Sequence, residues 1–460
     1  MNSGRTVSVI VSGTVVLTRS CREECGYCSF RKNGDPLIPL SRLGDFFSEM
    51  AKGKATEAVL VAGQASYELP HILMGLSRDK CTSFGEYLHQ ACRMAAERGL
   101  IPVINAGIMT PLELRTLAPV AGAVHIPVLS AELEGPGQAH FKARGRTKAS
   151  SHEMIEKAHQ AEFPYRLDFL VGIGETEVER ASTILEYGAF CAADPFLQDI
   201  RIIPFQPTPG TVMHDRPPLS FDSIRSSIEQ ASKAFPVHPI SVPAHLFSRF
   251  PELIEAGLND LSSLPMVTGD PVLPTFPVPS LEMLRTRLVE TDATLYERLS
   301  LLTPAATNRS ELAKVIGKAR DKVQARVASG LNLLDNRACF VCGEHNPHGL
   351  QITFQRRDEN TSAANWVPGP AFQGYAGILH GGIISALLDE AMANTISGNG
   401  LQVVTVDLRV RFHHPIPVGC PITILGTRTG NHARIHSARA SILAPNGSVM
   451  AEAEGRFAEG

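Results

Sequence analysis

The chain has 460 residues, 43% hydrophobic and 19% charged, with a formal net charge of −3. That length accommodates two or three domains, and that balance is ordinary for globular chains with a large core. No strong positive field is available, which argues against a nucleic-acid or membrane-surface partner, and no apolar run reaches membrane-spanning length.

The N-terminus lacks a signal-peptide pattern, so a reducing cytoplasm is the expected compartment. Nine cysteines are present. Three fall in one early loop, Cys339 and Cys342 form a pair, and Cys81, Cys92, Cys191 and Cys420 stand alone, so no disulfide ladder is suggested.

Through the first part of the chain, apolar β-branched runs alternate with helical or loop-like stretches. Strands are expected near 14–18, 57–62, 101–105, 123–129, 166–171, 199–204, 239–242 and 257–262, with helices such as Phe84 to Arg98 and Glu153 to Glu162 between them. Continuous apolar strands alternating with helices imply a parallel sheet covered on both faces. Eight such units would close an α/β (βα)8 barrel of the TIM type, with its chemistry at the C-terminal ends of the strands. A doubly wound open sheet is the alternative.

The first strand is followed by Cys21-Arg22-Glu23-Glu24-Cys25-Gly26-Tyr27-Cys28, three cysteines spaced C-x3-C-x2-C. Three thiolates on one short loop can hold three irons of a 4Fe–4S cube and leave the fourth iron without a protein ligand. A zinc site, which would want a fourth ligand nearby, and three chance cysteines are the alternatives. With Tyr27 just before the last cysteine, the spacing resembles the radical-SAM signature. That resemblance implies a cluster held by Cys21, Cys25 and Cys28 and S-adenosyl-L-methionine (SAM) on the open iron. It further implies that the turn Gly63-Gln64 after the second strand meets the SAM amino group. Asn105, at the end of the third strand, and Gly172-Ile173-Gly174-Glu175, after the fifth, face the same mouth. Gly172, Gly174 and Glu175 read as an approach to adenine, or as a tight turn starting the next helix.

Leu17-Thr18-Arg19-Ser20-Cys21, Leu100 through Gly107, Gly172 through Thr176, Phe205-Gln206-Pro207-Thr208-Pro209-Gly210-Thr211 and Leu253 through Asp260 together resemble the radical subunit of deazaflavin (FO) synthase. The resemblance covers residues 1 to 300 and implies a 5′-deoxyadenosyl radical that abstracts hydrogen from a bound substrate. Two segments depart from that family's pattern: Leu261-Ser262-Ser263, where an aromatic and a Gly-Gly pair are usual, and Leu129-Ser130-Ala131-Glu132, where a Glu-Ser pair is usual. Both are expected at the mouth. The expected reaction is therefore a radical rearrangement or carbon–carbon bond formation on another substrate, with deazaflavin synthesis, or a non-catalytic scaffold barrel, as alternatives.

Pro265 to Pro279 reads as loop, and Leu281 to Leu302 as helix. Residues 301 to 335 read as a helical linker, solvated along 309 to 334. Residues 336 to 460 read as a separate domain: one apolar helix, Gly381 to Ser397, then alternating strands. In Val403 to Phe412 the expectation puts Val404, Val406, Leu408, Val410 and Phe412 on one face, and Thr405, Asp407 and Arg409 on the other. Pro445-Asn446-Gly447 reads as a hairpin turn. A helix wrapped by an antiparallel sheet is the α+β hotdog arrangement.

Cys339 through Leu350, Phe372 through Gly382 and Leu387 through Met392 resemble PaaI-type hotdog thioesterases. The resemblance implies that His380 and Gly382 open the helix with a backbone N–H that polarises a thioester carbonyl. Asp389 would be nucleophile or general base, and Thr405 would position water. Cys339 and Cys342 invite a metal reading that no second cysteine pair completes; they read as packing or loop residues, with zinc as the alternative, and Glu390 reads as a surface residue beside Asp389. A non-catalytic dimerisation or acyl-binding role is the alternative. Expected partners are a small-molecule substrate such as an acyl thioester of CoA or a carrier protein, an electron donor such as ferredoxin or flavodoxin, and a second copy in a homodimer or homotetramer.

Overall fold

The computed structural model describes residues 5–64, 68–143, 145–271, 277–289, 291, 293–300, 310–329, 338–397 and 401–459. The expected domain start at 336, the linker residues 301–309 and 330–335, and Ala65-Ser66 after the second strand lie outside them. The chain divides into two compact units, Met1–Ala325 and Arg326–Gly460.

In the first unit eight parallel strands follow one another around a nearly closed barrel. They are β1 (Arg5–Thr18), β2 (Glu57–Ala62), β3 (Ile101–Asn105), β4 (Ala123–Leu129), β5 (Tyr165–Val171), β6 (Leu197–Pro204), β7 (Ile240–Ser241) and β8 (Asp260–Leu264). Sheet order runs from β7 down to β1 and on to β8, which excludes the doubly wound alternative. Asn259 bridges the seam: its side chain accepts from the Ile240 amide at 2.7 Å, and its own amide donates to the Ile240 carbonyl at 3.3 Å. Helices between the strands bury the outer faces, as α3 (Phe84–Glu97) does with Tyr87, Leu88, Ala91 and Cys92.

The first strand is much longer than 14–18, because Ser8, Ser12 and Gly13 interrupt its apolar run while remaining in the sheet. Its lower half pairs with β8 and its upper half with β2. The expected helix from Leu281 to Leu302 ends early, as α9 (Leu281–Val289). Residues Ala293–Glu297 then form a ninth strand, β9, parallel to Arg5–Val9. The free backbone groups at the start of β1 need partners, and Thr294 and Tyr296 are good strand formers.

Charged side chains fill the lower barrel. Arg166 on β5 reaches Glu57 at 2.7 Å and the Ser263 hydroxyl at 2.6 Å. Arg298, just after β9, binds Asp199 at 2.8 Å and Asp260 at 2.7 Å. The hydroxyls of Ser263 and Ser300 donate to Glu57. Despite the cost of burial, these cations hold Glu57 and Asp199 below the usual carboxylate range. The helix α10 (Ser310–Ser329) is not the solvated connector expected. Leu312, Val315, Ile316 and Ala319 are buried against Ile101, and Lys322 Nζ donates to the carbonyls of Ala55 and Gly99.

The second unit is a six-stranded antiparallel sheet around one helix, the hotdog arrangement. Its strands are β10 (Gln355–Arg356), β11 (Thr361–Trp366), β12 (Val403–Phe412), β13 (Ile422–His432), β14 (Ile435–Leu443) and β15 (Val449–Glu459). The helix α11 (Gly381–Ser397) buries Ile384, Leu387, Leu388, Ala391, Met392, Thr395 and Ile396. It lies so close to β13 that a side chain at Gly426 would collide with the Ala391 carbonyl.

Strand β12 does not alternate as expected. Thr405 pairs with Phe457 but Asp407 pairs with Arg456, so Val406 is the extra residue of a bulge. The bulge puts Thr405 on the same face as Leu408, Val410 and Phe412, the face turned toward the helix. Asp407 points away, 2.8 Å from Arg456.

Candidate active sites

The cysteine loop leaves the C-terminal end of β1 and is tied down from three sides. The Gln64 amide donates to Cys21 Sγ at 3.2 Å, and the Arg22 amide to the Gln64 carbonyl at 3.1 Å. The Glu24 and Gly26 amides donate to the carbonyls of Lys142 and Ala139, and the Met213 amide to that of Gly26. Gly63 packs against the Ser20 carbonyl and Cys21 and leaves no room for a Cβ.

The loop caps a cavity of about 340 Å³ inside the barrel mouth, a volume suited to a small-molecule site. Cys21, Cys25, Cys28, Tyr27, Gly63, Gln64 and Asn105 all line it, so these sequence-predicted residues come together. Gly172, Gly174 and Glu175 do not line it; Ile173 between the glycines does. The Glu175 carboxylate is consumed locally. It accepts from the amides of Gly172 at 2.5 Å and Ile173 at 2.9 Å, and from Arg180 at 2.9 Å. Of the two departing segments, Ser263 reaches the cavity, whereas Glu132 accepts from the Lys148 amide at 2.8 Å, capping the helix Lys148–Gln160 (α5).

Three features at this mouth carry no motif. Arg146 lines the cavity beside Tyr27 and the three cysteines, and its buried Nε has no hydrogen-bond partner among the described residues. His125, Asp168 and Arg201 form a charged floor: Arg201 grips Asp168 through bonds of 3.0 and 2.8 Å, and His125 Nδ1 lies 3.1 Å from the same carboxylate. Burial opposes ionisation of Asp168, but Arg201 and His125 outweigh it and hold the group well below the carboxylate range. His140 is fully buried behind Tyr27, ring centroids 5.8 Å apart, with neither nitrogen bonded among the described residues.

The donors fit an iron–sulfur cluster. Burial pushes the Cys25 thiol up to about 11 against the pull of Arg146, so further positive charge is needed to make it thiolate. Among the described residues, the single-ion spacing found elsewhere in the chain does not recur among these three sulfurs.

In the second unit, Asp389 is half-buried on α11 and accepts from the Thr405 hydroxyl at 2.9 Å. Burial raises its carboxyl, as does neighbouring Glu390, while the Thr405 bond lowers it. His380 starts the helix, and its Nδ1 accepts from the Gly382 amide at 2.9 Å. The donor expected to meet a thioester carbonyl is thus occupied by the His380 ring. Residues 376–430 match the family model described as the thioesterase superfamily.

A parallel barrel carrying C-x3-C-x2-C at the mouth of its cavity defines a radical-SAM-type protein, here with a hotdog thioesterase-type unit on the same chain. The synthase of Methanococcoides burtonii named 7,8-didemethyl-8-hydroxy-5-deazariboflavin synthase is 30% identical over 293 residues, 62% of this chain and 87% of that one. Its namesake in Methanothermobacter thermautotrophicus is 30% identical over 295 residues, 62% of this chain and 88% of that one. The Nocardia farcinica FO synthase is 29% identical over 323 residues, 65% of this chain but 37% of that one. The chain belongs, through its N-terminal part, to the 7,8-didemethyl-8-hydroxy-5-deazariboflavin synthase family. Similar solved structures include a thioesterase superfamily protein (TM-score 0.26, 19% identity, 33% of this chain and 83% of that one). Another is the E. coli PaaI protein (TM-score 0.23, 19% identity, 24% and 80%).

Proposed function

We propose that the barrel unit carries out deazaflavin-synthase-type radical chemistry, which the relatives favour over the unrelated rearrangement expected from the departing segments. The observation that supports it most is the placing of Cys21, Cys25 and Cys28 on the rim of one cavity with Gly63, Gln64, Asn105 and Arg146. The three cysteines would hold a 4Fe–4S cluster, which, with SAM bound, supplies a 5′-deoxyadenosyl radical for hydrogen abstraction. Arg146 offers charge for a carboxylate, and the Gly63-Gln64 backbone fixes the loop. The apolar walls from β2 and β6 keep water out, and the floor of His125, Asp168 and Arg201 gives polar anchorage for substrate.

The test is anaerobic protein, reconstituted with iron and sulfide, reduced chemically or through ferredoxin or flavodoxin, and given SAM, tyrosine and a diaminouracil. Formation of 5′-deoxyadenosine together with a deazaflavin chromophore is expected, and loss of both in Cys25→Ala. Cleavage of SAM without the chromophore would sink the deazaflavin reading and leave radical chemistry on another substrate. No cluster-dependent cleavage would sink both.

For the hotdog unit we infer hydrolysis of an acyl thioester, with Asp389 as base or nucleophile and Thr405 orienting it. The Asp389–Thr405 contact supports this. Acyl-CoA hydrolysis that survives unchanged in Asp389→Asn would remove that role. Two copies would pair along β12, an edge strand that leaves Val406 60% and Phe412 52% exposed. Sedimentation should show a dimer or tetramer that Val406→Lys weakens.

A further inference from the structure

Outside both candidate active sites, the sulfurs of Cys339 and Cys342 and a carboxylate oxygen of Glu390 all lie within 4.8 Å of one another. Cys339 Sγ is 3.5 Å from Glu390 Oε2. The three side chains are half-buried, shielded from bulk water yet reachable by an ion.

The turn that carries the cysteines is shaped around sulfur. The amides of Val341 and Cys342 aim at Cys339 Sγ, at 3.3 and 3.5 Å, and the Gly343 amide closes the turn on the Cys339 carbonyl at 3.0 Å. Amide donors directed at a sulfur are what the outer shell of a metal–thiolate site supplies. The turn is held in place independently of any ion. Leu350 and Ile352 donate their amides to the carbonyls of Phe340 and Val341, and Val341, Leu350 and Ile352 are buried in the hotdog core.

Two sulfurs and a carboxylate pressed together are costly as bare groups. A divalent cation reverses that balance by turning mutual repulsion into shared ligation. Soft thiolates with one carboxylate suit zinc better than magnesium or calcium, which prefer oxygen throughout. Tetrahedral coordination leaves one position for water.

We propose that Cys339, Cys342 and Glu390 bind one zinc-class divalent ion, which staples residues 338–343 to the helix that carries Asp389. The assignment goes beyond the radical chemistry and the thioester hydrolysis proposed above, and holds whether or not either occurs.

The test uses the full-length chain with Cys21, Cys25 and Cys28 changed to alanine, so that the cysteine loop of the barrel does not contribute to the metal signal. After chelation under reducing, anaerobic conditions, cobalt(II) is titrated as a spectroscopic probe. One equivalent should give a thiolate-to-cobalt charge-transfer band and the visible bands of tetrahedral cobalt, bleached by added zinc. Cys339→Ser and Cys342→Ser should lose the charge-transfer intensity in part or whole. Glu390→Gln, which keeps shape and removes charge, should weaken binding by about tenfold or more while circular dichroism stays unchanged. Elemental analysis of the wild-type chain should find zinc in addition to iron. The proposal is overturned by no charge-transfer band at stoichiometric cobalt, or by equal affinity in Glu390→Gln. A Cys339–Cys342 disulfide found by mass spectrometry in the reduced protein would overturn it as well.

Discussion

The Gln64 backbone amide points at the sulfur of Cys21 from 3.2 Å, so the turn after β2 holds the first cysteine of the loop after β1. Gly63 makes that approach possible. A Cβ there would sit 2.6 Å from Cys21 Cβ and collide with the Ser20 carbonyl. Gly63→Ala should therefore lower iron and sulfide per chain after reconstitution by several-fold, with thioester hydrolysis unaffected. Full cluster loading in Gly63→Ala would refute this dependence.

Arg146 tests the other side of the loop. Its buried Nε is without a partner among the described residues and its charge faces the cysteines. A hydrogen bond to a charged group contributes about 1.5–3 kcal/mol, so Arg146→Met should slow SAM cleavage by roughly tenfold or more. Cluster absorbance should be retained, and Arg146→Lys should recover part of the rate. Equal loss of cluster and activity would make Arg146 a structural residue only.

In the lower barrel, Arg166 is fully buried between Glu57 and the Ser263 hydroxyl. Removing one partner of a buried ion pair costs about 3–5 kcal/mol because the other charge is left alone. Arg166→Met should reduce the stability of the barrel unit by that order in denaturant titration. Adding Glu57→Gln should restore part of it, and a double variant less stable than the single would contradict the pairing.

His140 sets a pH dependence. Burial first, and the nearby Arg146 charge second, lower its pKa from 6.5 to about 4. The unfolded chain then takes up a proton that the folded chain refuses, so stability falls as pH drops from about 6.5 to 4 and levels off below. The full effect is roughly 3 kcal/mol. Chemical denaturation between those limits should show the decline in the wild type and a flatter profile in His140→Leu.

What the sequence reveals depends on how local the determining contacts are. Strand β2 could be read to the residue because Glu57–Ala62 is buried on both faces and almost wholly apolar. The three cysteines could be read because all three donors sit on one loop. The third donor of the Cys339–Cys342 pair could not, since Glu390 lies 51 residues beyond Cys339 and only the fold of α11 against the turn brings them together. Arg146 and His125 carry no pattern of their own and gain meaning from distant neighbours, the cysteine loop for Arg146 and Asp168 on β5 for His125. The bulge at Val406 hid behind a regular alternation of apolar and polar residues, which the pairing with β15 overrides.

Strand β9 and Arg298 alter the order in which this barrel can be completed. The chain emerges from the ribosome with all eight barrel strands made by Leu264, yet Asp199 and Asp260 still lack Arg298, and Glu57 still lacks Ser300. The barrel floor is therefore finished by Arg298 and Ser300, after every one of the eight strands has been synthesised. A fragment cut just after α9 would keep the cysteine loop and the whole cavity lining, and would leave Asp260 without Arg298 and Asp199 with Arg166 alone.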